Sequence, residues 1–189
     1  AHLALAENII SENSYRPSDV VTSSNGTTIE VVDTDAEGRM LLADTLSLSS
    51  KLDVDLTMSF ATLTGSAIRS VGTRRCAVFT PSYSLHPKLF KASANSGERV
   101  WPFPVGEEYT KYLKSEVADT LQCSTKPNAD HIMAATFLSK FVSKKTEWVH
   151  LDLSADSNPG GLGLTSTETT GFGVLWTVEF FNEFFGGLT

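Results

Sequence analysis

Short β-branched and apolar runs alternate along this chain with segments of helical periodicity, and that alternation restricts the fold more than any other feature of the sequence. Val20-Val21-Thr22 and Thr27 to Val32 are strand-like runs flanking Ser23-Ser24-Asn25-Gly26, where Asn-Gly predicts a tight primed turn and hence a hairpin. Residues Arg39 to Leu52 favour helix, with Leu42 and Leu46 one turn apart, and Val54 to Leu63 reads as a buried strand. A short helix over Ser66 to Val71, a strand through Cys76-Ala77-Val78-Phe79 and a helix from His86 to Ser96 stopped by Gly97 continue the pattern. Trp101-Pro102-Phe103-Pro104 predicts a rigid break.

Two more helices are expected at Glu107 to Ala118 and Ile132 to Val142, the second stacking Met133, Phe137 and Phe141 on one face, with a polar loop from Gln122 to Asn128 between them. Trp148 to Leu153 reads as a strand. The loop Asn158 to Gly163 lacks the glycine spacing and the Lys-Ser/Thr ending of a phosphate cradle, so it is expected to be a plain connection. A last helix from about Phe172 carries Val174, Val178, Phe181 and Phe185 on one stripe and Trp176, Phe180 and Phe184 on another, a pattern that requires burial or a partner. The fold class expected is α/β, a layered parallel or mixed sheet flanked by helices on both faces, with sites beyond the strand ends.

Composition narrows the functional classes. The 189 residues carry a net charge of -7, which gives no positive field for nucleic acid or an anionic membrane. Arg69, Arg74 and Arg75 are the only basic cluster, too small for a phosphate track and better read as a solvated face or subunit contact. No apolar run approaches the ~20 residues of a membrane span, and the N-terminus lacks the order of a signal peptide. Two cysteines without CxxC spacing, Cys76 and Cys123, build no disulfide framework and suggest a reducing cytoplasmic setting. The sequence opens at Ala1 without a methionine, from which more chain is expected upstream.

Asp33, Asp35 and Glu37 alternate with Thr34 and Ala36. In extended backbone a period of two sends all three carboxylates to one side, where a divalent cation relieves their repulsion. Arg39 adds a planar cation able to hold an anion beside such a metal. Composition alone favours a solvated acidic loop with an ion-paired arginine. Other chemistries lack their motifs. The four histidines show no HExxH pairing, His150 in an apolar strand reads as a hydrogen-bonded structural residue, no Gly-x-Ser-x-Gly elbow is present, and neither cysteine has an activating partner.

Asp33 to Asp44, Asp-Thr-Asp-Ala-Glu-Gly-Arg-Met-Leu-Leu-Ala-Asp, resembles the Asn-Thr-Asp-Ala-Glu-Gly-Arg signature of the leucyl aminopeptidase, or cytosol aminopeptidase, family. Further matches follow in family order: Tyr15-Arg16-Pro17 with Asp19-Val20, Ala61 to Gly65, Gly97 to Trp101, Lys114-Ser115 with Ala118-Asp119, Trp148 with His150 and Asp152, and Thr170 to Gly173. The resemblance implies a metal-dependent exopeptidase that removes N-terminal residues, leucine-type, from peptides, usually as a cytosolic homohexamer. It implies that Asp35 and Glu37 are metal ligands for two divalent cations, zinc or manganese with magnesium possible, and that Arg39 holds a bicarbonate ion acting as proton shuttle. It also implies that the Leu63 backbone carbonyl places the substrate and that Thr62 and Gly65 line the pocket for its first side chain.

The family's remaining ligands, a lysine and two aspartates, and its second active-site lysine all fall upstream of Ala1. The chain is therefore expected to be the C-terminal portion of a single catalytic domain and inactive alone, with a non-catalytic scaffold that retains the fold as the alternative reading. A DNA-binding role fits the charge poorly. Local departures from the family pattern are Asp33 for asparagine, Ser154 and Ser157 near the substrate pocket, and Asp130-His131-Ile132-Met133 in place of a Gly-Ser/Ala-Ile-Thr run at a helix start.

Overall fold

The computed structural model describes residues 1–126 and 129–187. In chain order its elements are β1 (Val20–Thr22), β2 (Thr28–Glu30), α1 (Glu37–Ser49), β3 (Leu56–Ala61), α2 (Gly65–Val71), β4 (Cys76–Phe79), α3 (His86–Ser96), β5 (Val100–Phe103), α4 (Glu107–Thr110), β6 (Thr120–Leu121), α5 (Asp130–Ser139), β7 (Glu147–Asp152) and α6 (Val174–Phe185). They form an α/β chain with two mixed sheets rather than one, ordered β1-β2-β6 and β3-β7-β4-β5. The backbone clusters into two compact units, Ala1–Thr57 with Val105–Thr146 and Met58–Pro104 with Glu147–Thr189.

In the first unit β1 and β2 form the expected antiparallel hairpin, with Val21 opposite Ile29. Its turn differs from the primed type. The Gly26 amide donates to Ser23 O and the Ser23 amide to Thr27 O, both at 2.9 Å, and Gly26 rather than Asn25 takes positive φ, at 90°. A five-residue connection closed by a bulge glycine results, because Asn25 spends its side chain accepting from the Ser23 hydroxyl (2.6 Å) and the Thr27 amide (3.0 Å).

β6 adds to β2 in parallel, Ile29 opposite Thr120. The helix expected to run from Glu107 to Ala118 ends early, as α4 followed by a 3-10 turn over Lys111–Leu113. Side-chain bonds win there. The Ser115 hydroxyl accepts from the Val117 and Ala118 amides (both 3.0 Å) and donates to Glu30, while Asp119 accepts from the Thr28 amide at 2.8 Å and hydroxyl at 2.6 Å. α5 is buried on all sides from His131 to Leu138, and it packs against α1, whose inward face carries Arg39, Ala43 and Leu46. Part of the polar loop expected from Gln122 to Asn128 lies outside the described residues.

In the second unit β4 is fully buried, pairing in parallel with β5 and antiparallel with β7. The proline-containing segment expected as a rigid break is the strand β5. Pro102 sits opposite Val78 in an edge strand, where a missing amide leaves no ladder bond unmade on the outer side. α3 ends as expected at Gly97, left-handed at φ 76°. α6 lies along α3, with the Trp176 indole donating to Ser93 Oγ at 3.1 Å and Trp176 stacking on Phe180 at 5.0 Å. The Glu98 carboxylate caps the start of α6, accepting from the Gly173 (3.0 Å) and Trp176 (2.8 Å) amides. On one of the two apolar stripes Trp176 and Phe180 are buried and Phe184 is half-buried. Val174, Val178 and Phe185 on the other are exposed among the described residues. The loop at Asn158 to Gly163 is a connection, as expected, held by a bridge between Leu162 and Thr165.

Candidate active site

The acidic segment does not run as extended chain. Asp33 has extended φ and ψ, Thr34–Ala36 form a 3-10 turn, and α1 begins at Glu37. The expected period-two alignment of three carboxylates is therefore absent, because Asp33 is used as a cap: its Oδ1 accepts the Asp35 amide at 3.0 Å. A caged turn replaces it. The buried Gln122 accepts from the Val32 (3.1 Å) and Asp33 (3.0 Å) amides through Oε1 and donates to Ala36 O through Nε2 (3.0 Å). The register of β2 with β6 produces this clamp, since the Gln122 amide donates to Glu30 O (2.9 Å) and sets its side chain level with the strand end.

Asp35 and Glu37 are exposed on this fixed turn, and among the described residues neither carboxylate accepts a hydrogen bond or joins an ion pair. Tyr15 lies close enough that, after burial, the Glu37 charge is the second cause raising its phenol above the ordinary value. Two unengaged carboxylates fit as cation ligands. They are two donors where a divalent ion takes about four to six, and no group of three or more His, Cys, Asp or Glu side chains among the described residues is arranged to hold a metal.

Arg39 departs from expectation. Instead of presenting an open fork it is 3% exposed and locked end-on to Asp130, Nη1 to Oδ1 at 3.0 Å and Nη2 to Oδ2 at 2.7 Å. Its Nε is buried without a partner among the described residues. A bicarbonate ion does not fit this arrangement, because the end-on donor pair is occupied and the side-on pair runs through an atom closed to solvent.

The substrate-side candidates belong to the second unit. Thr62 is exposed, Leu63 half-buried and Gly65 exposed, at the junction between β3 and α2. Asp152, 1% exposed at the end of β7, fixes this junction: its Oδ1 accepts from the Leu63 (3.0 Å) and Thr64 (3.1 Å) amides and its Oδ2 from the Thr64 hydroxyl (2.7 Å). Thr64 in turn caps α2 by accepting the Ala67 amide at 3.1 Å. Sequence reasoning gave Gln122 and Asp152 no role. A lone acid closing the apolar run Trp148 to Leu151 was the available signal for Asp152, whereas Gln122 carries none. Ser154 turns inward, donating to Arg75 O at 2.8 Å, and Ser157 shares a bond with Glu168 at 3.3 Å.

The other titratable candidates are structural. His150 is buried, its Nδ1 2.9 Å from Ser59 Oγ, which also accepts the Trp148 indole N–H at 3.1 Å. Burial pulls its imidazole down to about 4, so it is neutral at physiological pH. Burial also pushes the Cys76 thiol up to about 11 and raises Cys123, which leaves both as inert thiols.

Residues 1–178 match the profile of the cytosol aminopeptidase family, catalytic domain. The chain belongs to this family. Among relatives of this cytosol aminopeptidase domain, leucine aminopeptidase 1 of Arabidopsis thaliana is 41% identical over 181 residues, covering 94% of this chain and 33% of that protein. A probable cytosol aminopeptidase of Chloroherpeton thalassium is 40% identical, covering 92% of this chain and 34% of that protein. Among solved structures, the bottromycin maturation enzyme BotP superposes with a TM-score of 0.88 at 37% identity, over 97% of this chain and 41% of that one. A tomato leucine aminopeptidase variant superposes with a TM-score of 0.84 at 39% identity, over 92% of this chain and 34% of that one. The aminopeptidase-family chain spans about a third of the length of the curated relatives it matches. No helix among its described residues is long and apolar enough to cross a membrane.

Proposed function

We propose that this chain supplies part of the active site of a metal-dependent aminopeptidase that releases N-terminal residues, leucine-type, from peptides. The observation that carries the reading is a pair of exposed, unengaged carboxylates, Asp35 and Glu37, on a turn that Gln122 holds rigid, within a family named for aminopeptidase activity. Side chains left unpaired on an immobilised turn are suited to receive a cation without reorganising. They would hold two divalent cations, zinc or manganese with magnesium as a third candidate, together with donors from polypeptide outside these 189 residues. Bound there, such a pair supplies Lewis-acid polarisation of a peptide carbonyl and a hydroxide-like water at neutral pH.

The protein's own contribution is positional. Asp152 holds the Leu63 and Thr64 amides and so orients the peptide unit that is the candidate substrate contact, with Thr62 and Gly65 beside it as pocket candidates. Peptides are the proposed partners, and a homohexamer is the proposed assembly. The cytoplasm is the proposed location, consistent with two buried, unpaired thiols, and cell fractionation tests it against the chloroplast named for some relatives.

The test is release of N-terminal leucine from a short peptide by the complete polypeptide, with and without a chelator. Turnover that the chelator removes and manganese or zinc restores is expected. Turnover insensitive to the chelator sinks the metal reading, and folded, metal-loaded protein without turnover favours the scaffold reading.

A further inference from the structure

We propose that Asp130 is a built-in anion for Arg39, taking the place of a small oxyanion recruited from solution, so that this site operates without bicarbonate. Arg39 projects from the first turn of α1 and is almost wholly buried, and a buried guanidinium is stable only with a compensating negative charge. Asp130, the first residue of α5, supplies it through two parallel bonds of 3.0 and 2.7 Å, the fork geometry in which arginine binds planar oxyanions in general. A carboxylate and a bicarbonate present the same pair of oxygens to that fork, so one excludes the other.

Three features show that the chain is built around this pair. Asp130 follows Ala129 in left-handed backbone, φ 33°, without a side-chain cap at the start of α5, so its carboxylate is directed to Arg39 and not to its own helix. The Arg39 Nε, which Asp130 does not engage, is buried with no partner among the described residues, which closes the side-on approach to a second anion. The outer part of Asp130 is open, its side chain 43% exposed, so its removal would leave a solvent-connected vacancy in front of the fork. The effect on turnover rests on the aminopeptidase reading, whereas anion occupancy can be measured without it.

The experiment compares the full chain with Asp130→Ala, Asp130→Glu and the double variant Asp130→Ala/Arg39→Met, reading carbon-13 bicarbonate binding by NMR line broadening and thermal stability with and without added bicarbonate. The unsubstituted chain should bind no bicarbonate at this site. D130A should bind it with an affinity at least about tenfold above the upper limit set by the unsubstituted chain and regain thermal stability when it is added. The double variant should lose that gain, and D130E should behave as the parent does. In the complete enzyme, bicarbonate should stimulate the D130A form alone. Arg39-dependent bicarbonate binding by the unsubstituted chain overturns the proposal, as does a folded D130A form that gains none. Absence of turnover with the binding pattern intact instead counts against the aminopeptidase reading.

Discussion

At the scale of single residues, Gln122 holds the turn that carries the proposed ligands Asp35 and Glu37. Its amide satisfies two backbone N–H groups and one carbonyl around the acidic turn from a buried position. Gln122→Leu keeps the volume and removes all three bonds, so it should destabilise the chain by about 3 kcal/mol, read as a lowered thermal midpoint. The same variant should weaken cation binding by about 10- to 100-fold, as loss of supporting hydrogen bonds behind ligands generally does. Unchanged cation affinity would show that the turn needs no clamp. The ligand candidates were legible in sequence because Asp-Thr-Asp-Ala-Glu-Gly-Arg is compact and carries its chemistry locally. Gln122 was not, since its role comes from the parallel pairing of β2 with β6, which brings together residues about ninety positions apart. The pairing of Arg39 with Asp130 is not legible in the sequence for the same reason, because Asp130 lies 91 positions away.

At the scale of elements, the sequence was read well where one local signal dominates. β4 and α3 have the expected bounds because a four-residue buried run and a left-handed Gly97 stop are self-contained. Replacing Gly97 by Ala should cost about 1 kcal/mol at that φ of 76°, visible as a lower denaturant midpoint with unchanged slope; no shift would mean that the helix end relaxes freely. The acidic turn, the hairpin loop, the Pro102 strand and the segment after Leu113 were read less well. In each, a side-chain bond or an edge position overrode the backbone preference.

β7 carries a further consequence. His150 is buried neutral, its imidazole drawn from the ordinary 6.5 to about 4, so protonation favours the unfolded chain. The stability conferred by the neutral ring is present above pH 6.5 and is lost progressively as the pH falls from 6.5 towards 4, by up to about 3 kcal/mol. Urea melts at pH 7 and pH 4.5 should separate, and His150→Phe should reduce the separation. Equal pH dependence in both proteins would assign the acid sensitivity to other groups.

At the scale of the molecule, the chain is two compact units, with the ligand candidates Asp35 and Glu37 in the first and Thr62, Leu63 and Gly65 in the second. It corresponds to about a third of its curated relatives, and on the proposed reading its described residues would supply two carboxylates where a divalent cation takes more donors. The α/β class and the family were both legible from the alternation of elements and the ordered motifs. The division into two units was not, because the unit containing the acidic turn is assembled from two separate stretches of sequence. These 189 residues alone should show no peptide hydrolysis with manganese or zinc present, and hydrolysis by them alone would show that the site is complete within them.

The central claim is that Asp35 and Glu37 hold catalytic cations. Its most direct test is turnover of an N-terminal leucine peptide by the complete polypeptide carrying Glu37→Gln, with bound metal counted in the same preparation. A fall of at least about 100-fold with loss of bound metal and an unchanged fold is the predicted result. Turnover and metal content equal to those of the unsubstituted protein would contradict the account.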